Sequence, residues 1–107
     1  MPDSLTFSFI PNVLSERDVK PSSIVSQTVH TDDKLKVTLF QFDKGQGLSE
    51  HSSPKPAIIQ ILKGQAVLTL GAETIEAKEA CWLHMPAHLP HSVYARTELS
   101  MILTVIK

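Results

Sequence analysis

The sequence predicts an all-β domain, a sandwich or barrel of about eight short strands. Short runs of β-branched and aliphatic residues recur along the chain, and turns rich in polar residues, Gly or Pro separate them at intervals of about 8–12 residues. Helical periodicity is weak throughout, and the best helix candidate, residues 13–19, spans two turns at most. The chain has 107 residues, so we expect residues 1–107 to form a single domain.

The predicted strands begin after an N-terminal segment. Residues 1–22 contain Pro11 and Pro21 and are predicted to form an arm or an added edge strand. Residues 43–56 hold two glycines and two prolines and are predicted to be a loop. Lys63 and Gly64 predict a tight turn that joins the strands on either side into a hairpin. The predicted strands are 23–30, 35–42, 57–62, 65–70, 74–77, 80–85, 91–96 and 100–106.

Composition and charge exclude several classes of function. The formal net charge is −1 and the sequence has no run of basic residues. It therefore gives no sign of the positively charged surface that binds nucleic acid or an anionic membrane. No apolar run approaches the roughly 20 residues that span a bilayer. The N-terminal residues do not resemble a signal peptide, and Cys81 is the only cysteine, which excludes a disulfide framework. We expect a cytoplasmic protein.

Histidines are the most informative polar residues. The chain has five, and four of them lie between positions 51 and 91. Because no H-x-H or H-E-x-x-H motif is present, spacing alone leaves two interpretations open. One is a set of surface or core histidines with satisfied hydrogen bonds, and the other is a metal site.

Two stretches of the chain resemble the paired motifs of the cupin superfamily, specifically its small single-domain members. The first motif places H-x-H six residues after a glycine, then a glutamate and a closing glycine. Gly45, His51 and Gly64 match it, whereas Ser53 stands at the second histidine and Ala57 at the glutamate.

The second motif contains P-x-G followed by a histidine and, four residues later, an asparagine. Pro86 and His91 match it. Three positions differ from the motif, and they hold Ala80 and His88 in place of two glycines and Ala95 in place of the asparagine.

The resemblance covers residues 35–106 and implies a jelly-roll β-barrel, also called a double-stranded β-helix. It implies that His51 and His91 point into the barrel from facing strands and bind a divalent metal ion (Zn, Ni, Fe or Mn). Since Ser53 and Ala57 replace two of the four ligands, we expect partial occupancy at most. His88 is the best candidate for a third ligand. For His84 two directions of the side chain stay open, into the pocket and out of the barrel.

Period-two alternation extends this site into a pocket. Counted from Ala57 at the glutamate position and from His51 and His91, this alternation predicts a mostly apolar pocket wall with a hydroxyl near one end. The predicted pocket residues are Ser53, Ala57, Ile59, Ile61 and Val93.

Two functions fit such a pocket. The first is a binding protein that holds a small molecule in the barrel beside a partial metal site. The alternative is an enzyme, either dioxygenase-like with a metal or isomerase-like with His51 or His91 as general base. The fold does not choose between them. Strands 57–62 and 100–106 are apolar on both faces, and small cupins commonly pair, so we expect a homodimer.

Overall fold

The computed structural model describes residues 5–14 and 19–107. Within these residues the chain forms nine β-strands and no helix, which confirms the predicted all-β fold. The described residues therefore include no helix that could cross a membrane. The strands are β1 (Ile24–Thr31), β2 (Leu35–Phe42), β3 (Gly47–His51), β4 (Ala57–Lys63), β5 (Ala66–Leu70), β6 (Glu73–Ala77), β7 (Trp82–Met85), β8 (His91–Ala95) and β9 (Leu99–Ile106).

Two antiparallel sheets enclose one core, in agreement with the jelly-roll expectation. The first sheet has the order β1-β2-β9-β4-β7 and the second the order β3-β8-β5-β6. Alternate residues of each sheet point inward, and each large apolar side chain that is fully buried contributes about 1.5–3 kcal/mol. The largest buried side chains are Phe42, Ile59, Ile61, Leu68, Met85, Leu99 and Met101.

The predicted hairpin at Lys63 and Gly64 is wrong. β4 pairs with β7 and β9 in the first sheet, whereas β5 pairs with β6 and β8 in the second. The chain changes sheets at Gly64, where φ is +89° and a Cβ atom would collide with the carbonyl oxygen of Glu98. A glycine therefore marks a corner between sheets here, and sequence alone does not distinguish such a corner from a hairpin turn.

The predicted loop 43–56 contains a strand that the sequence analysis missed. β3 (Gly47–His51) is an edge strand with mostly exposed side chains, and it pairs with β8. Its sequence, GLSEH, has no β-branched residue and so gives no strand signal. Gly47 permits this pairing, because a Cβ atom there would collide with the carbonyl oxygen of Val93.

The described part of the N-terminal segment is an arm without strand structure. Residues 13 and 14 form a turn, and the rest of the helix predicted at 13–19 lies largely outside the described residues. Ser8, Ile10 and Val13 line a surface cavity together with Val37 and Ile102, on the outward face of the first sheet. The chain itself thus covers part of the apolar outer face of β9.

The turn between β1 and β2 is built around one carboxylate. Asp32 accepts hydrogen bonds from the backbone N–H groups of Lys34 (2.7 Å) and Leu35 (3.0 Å), and its other oxygen lies 2.8 Å from Nε2 of His30. The hydrogen bond to His30, followed by the two backbone bonds, lowers the pKa of Asp32 to about 2. This is the local reason that an aspartate suits the predicted polar turn.

Two residues that replace motif glycines retain a glycine-like backbone. Ala80 has φ +69° and His88 has φ +70°, both in the left-handed region that side chains disfavour. The fold holds Ala80 there, because its N–H donates to the carbonyl oxygen of Ile61 at 2.9 Å. A glycine would adopt either conformation without this strain.

We predict that Ala80→Gly stabilises the protein. Removing Cβ relieves a left-handed strain of about 1 kcal/mol, which exceeds the added entropy of the unfolded chain. Urea unfolding should show a higher midpoint with an unchanged slope. The matched control is Ala72→Gly, an exposed turn position without positive φ, which should lower stability slightly. Equal effects of the two substitutions would contradict the prediction.

Candidate functional site

His51 and His91 lie side by side at one end of the barrel. His51 ends β3, His91 begins β8, and the two residues are directly paired across the second sheet. Their ring centroids are 4.3 Å apart with an angle of 59° between the ring planes. The expectation of facing strands is therefore corrected, since the histidines come from adjacent strands of one sheet.

An irregularity in β3 is what turns His51 toward His91. Leu48 pairs with Val93, yet His51 pairs with His91, so β3 holds one extra residue between these two pairs. Side chains alternate along a regular strand, and in such a strand Leu48 and His51, which are three positions apart, would lie on opposite faces. The bulge restores both side chains to the face that carries Val93 and His91.

The backbone sets the same tautomer in both imidazole rings. Nδ1 of His51 lies 2.7 Å from the carbonyl oxygen of Ser49, and Nδ1 of His91 lies 2.8 Å from that of Leu89. A carbonyl oxygen can only accept, so each Nδ1 carries the proton and donates it. In the neutral ring, Nε2 then carries the lone pair on both histidines.

A small cavity adjoins this pair. Its volume is about 70 Å³. Most of its wall is apolar and comes from β4, β7, β9 and the loop before β8. The lining residues are His51, Ser53, Lys55, Ala57, Met85, Pro86, Leu89, His91, Leu103 and Val105.

The predicted pocket residues divide into two groups. Ser53 and Ala57 line the cavity, whereas Ile59, Ile61 and Val93 are buried in the core and do not line it. The alternation places Ile59 on the inward face, but a strand rises about 3.3 Å per residue, so Ile59 lies roughly 7 Å below Ala57. Distance from the barrel end, not side-chain direction, separates the two groups.

Neither of the other two nearby histidines joins the pair. His84 is exposed on β7, opposite Ile58 and on the same face as Trp82, which is also exposed. His88 is exposed as well, and its backbone N–H donates to the carbonyl oxygen of Ser53 at 2.6 Å. The predicted third ligand is therefore not brought to His51 and His91.

The donor set does not fit the metal centre that the motif implies. Two imidazole nitrogens are present, but Ser53 offers only a neutral hydroxyl and Ala57 offers no donor. Across residues 5–14 and 19–107, no group of three or more His, Cys, Asp or Glu side chains is placed to hold a metal ion. Metal sites that retain an ion in proteins use about three or four protein ligands.

Among the cavity residues that sequence reasoning missed, Lys55 is the one with an ammonium group. It lies two residues from both Ser53 and Ala57, and the period-two count that placed those two residues in the pocket includes it when extended through residues 52–56, which form no strand. Leu103 and Val105 follow in the same way from the inward face of β9. Lys55 adds a positive charge to a wall that was predicted to be apolar.

Comparisons with known proteins agree with this architecture. A family model for the cupin domain matches residues 38–107. No curated protein matches the chain. Among solved structures, a conserved protein of unknown function from Streptococcus pyogenes is 33% identical, with a TM-score of 0.84, over 96% of this chain and 90% of that one.

Two further solved structures are similar over most of their length. An RmlC-like cupin protein from Desulfovibrio desulfuricans is 26% identical, with a TM-score of 0.83, over 94% of this chain and 97% of that one. A cupin superfamily protein from Desulfitobacterium hafniense is 23% identical, with a TM-score of 0.83, over 88% and 86%. At that identity, the second likeness shows the fold alone.

We predict that restoring the missing ligands creates a tight metal site. Wild-type protein purified without a metal-binding tag should contain well under one Zn, Ni, Fe or Mn per chain by elemental analysis. The double variant Ser53→His, Ala57→Glu should bind Zn²⁺ at least about 100-fold more tightly, because four donors replace two. A double variant with Ser53→Asn and Ala57→Gln controls for side-chain size. Stoichiometric metal in the wild-type protein would contradict the prediction.

Proposed function

The chain belongs to the cupin domain family, and from this premise we propose that it is a binding protein whose small-molecule ligand lies at the barrel end against His51 and His91. The observation that carries the proposal is the pair of imidazoles held side by side with both Nε2 lone pairs free of protein partners among the described residues. Two polar acceptors at the end of an apolar cavity are the arrangement by which proteins orient small ligands.

The size of the cavity limits the ligand. A cavity of about 150 Å³ holds a benzene molecule, and this one measures about 70 Å³. The cavity therefore suits a molecule of two or three carbons, or one end of a longer molecule that projects into solvent past His51, which is exposed.

An isomerase- or lyase-like enzyme that needs no metal is the second candidate. It is favoured by the tautomers of His51 and His91, since a general base accepts a proton on a nitrogen lone pair. Such an enzyme would exchange a carbon-bound hydrogen of its ligand with solvent. A binding protein would leave its ligand unchanged, so the two candidates differ in a measurable property.

We also propose that the protein is a homodimer whose arms cover apolar surface of the partner copy. In the single chain Phe7 is 91% exposed and Phe9 is 76% exposed, and Leu5 is fully exposed. Aromatic side chains each bury about 150–250 Å². Two arms, with the surfaces that receive them, therefore reach the roughly 1,200–2,000 Å² of a stable interface. Trp82, 59% exposed on the outer face of the first sheet, offers such a surface.

We predict that small molecules perturb the two histidine rings together. ¹⁵N-labelled protein is titrated with ethylene glycol, acetamide, acetate, glycolate and ethylamine, and the ring signals of His51 and His91 are followed by NMR. At least one compound should shift both rings and leave the exposed His84 unchanged. The cavity-filling variant Ala57→Leu should abolish the shifts. If no compound shifts the rings, the proposed ligand site is wrong.

The same samples in D₂O separate binding from catalysis. A compound that binds and keeps all its C–H signals supports the binding protein. Steady loss of a C–H signal that stops in His91→Ala supports the enzyme instead.

We predict that the arm controls association. Light scattering at micromolar concentration should give a dimer for the wild-type chain. The double variant Phe7→Ser, Phe9→Ser should weaken dimerisation at least about 100-fold, because two large apolar side chains lose their buried site. Tyr94→Ser, which removes an exposed aromatic side chain from the second sheet, is the matched control and should remain dimeric. A monomeric wild-type protein would refute the proposal.

A further inference from the structure

The lining of the cavity beside the histidines includes one lysine, Lys55, and no carboxylate. The Lys55 side chain is exposed, and its long, flexible stem lets the ammonium reach a ligand at the cavity end. A surface of one charge sign attracts and retains a group of the opposite sign. The complementary ligand therefore carries a negative charge on the side that faces Lys55.

Ser53 adds a hydrogen-bond donor to the same wall. Its hydroxyl oxygen accepts the backbone N–H of Lys55 at 3.2 Å. A hydroxyl that accepts through its oxygen still has its own proton to donate. The Ser53 hydroxyl and the Lys55 ammonium are both donors on residues that line the cavity, and a carboxylate accepts strongly from a charged donor.

The histidines offer the opposite hydrogen-bonding character. Because Nδ1 of each ring donates to a backbone carbonyl, Nε2 of the neutral ring is an acceptor. A ligand group that faces these nitrogens has to donate, as a hydroxyl does. An amine would also donate, but its positive charge would be repelled by Lys55.

Size sets the length of the ligand. The anionic group and the donor have to fit together in about 70 Å³. Two or three carbons fill this space, and Ala57, Met85 and Leu103 leave only an apolar wall for the remaining atoms.

We propose that the pocket binds a short 2-hydroxycarboxylate such as glycolate or lactate. Its carboxylate faces Lys55 and Ser53, and its hydroxyl donates to Nε2 of His51 or His91. This inference rests on the proposed function and names the ligand class of that same site.

The test compares three probes of nearly equal size. Glycolate carries both groups, acetate only the carboxylate and ethylene glycol only hydroxyls. Calorimetry and the histidine ring shifts are used to measure dissociation constants for the wild-type protein. Glycolate should bind at least about 10-fold more tightly than either of the others, since each lacks one of the two sets of hydrogen bonds.

Two lysine variants test whether the charge of Lys55 contributes to glycolate binding. Lys55→Met keeps the length of the side chain but removes its ammonium, and it should weaken glycolate binding about 10-fold and leave ethylene glycol unaffected. Lys44→Met removes an exposed lysine that does not line the cavity and should change neither. Both lysines are exposed, so neither substitution disturbs the core.

The outcomes separate this inference from the function on which it rests. If ethylene glycol or ethylamine shifts both rings and glycolate binds no better, the ligand class is wrong and the binding site stands. If acetate equals glycolate, or Lys55→Met binds glycolate as the wild type does, the proposed orientation is overturned. If none of the probes shifts either ring, both the inference and the proposed function fail.

Discussion

Packing of two sheets on a single core is the constraint from which the rest of the molecule follows. The inward side chains of β4 and β9 meet those of β5 and β8, and the residues at this contact are almost completely buried. Such a core has no room for polar groups without partners. The cavity at the end of the barrel differs from this core, because its lining includes the polar residues His51, Ser53, Lys55 and His91.

The site differs from a metal centre in what its four key positions offer. In the family motif, three histidines and a glutamate converge on one ion, whereas here a hydroxyl and a methyl group occupy two of those positions. The retained histidines are still oriented as ligands usually are, with the second ring nitrogen bound to a backbone acceptor. A neutral imidazole ring held in the same orientation serves equally well as a hydrogen-bond acceptor. In the proposed function Lys55 favours the second use, because a cation in the cavity lining opposes a metal ion and attracts an anion.

Much of the fold was predictable from the sequence, and the errors have physical causes. Strands with β-branched residues, such as β2 and β9, were located to within one residue. β3 was missed because its residues are exposed and its pairing depends on a close approach at Gly47. β4 was wrongly paired with β5, because a glycine at a corner between sheets and a glycine in a hairpin turn look the same in the sequence. The histidine pair followed from the family motifs. The bulge that aligns the two rings and the exposure of His88 depend on three-dimensional pairing, which residue spacing does not encode.

Both histidines receive their orientation from main-chain carbonyls, at Ser49 and Leu89, and not from side chains. Every residue type supplies that oxygen. The identities of positions 49 and 89 can therefore drift over evolution without changing which ring nitrogen is available to a ligand. Insertions and deletions are a different matter, since the loss of one residue between Leu48 and His51 would remove the bulge and with it the backbone geometry that places the Ser49 carbonyl against the His51 ring. Selection on this site would thus be expected to act on the spacing between Gly47 and His51 more strongly than on the residues in between.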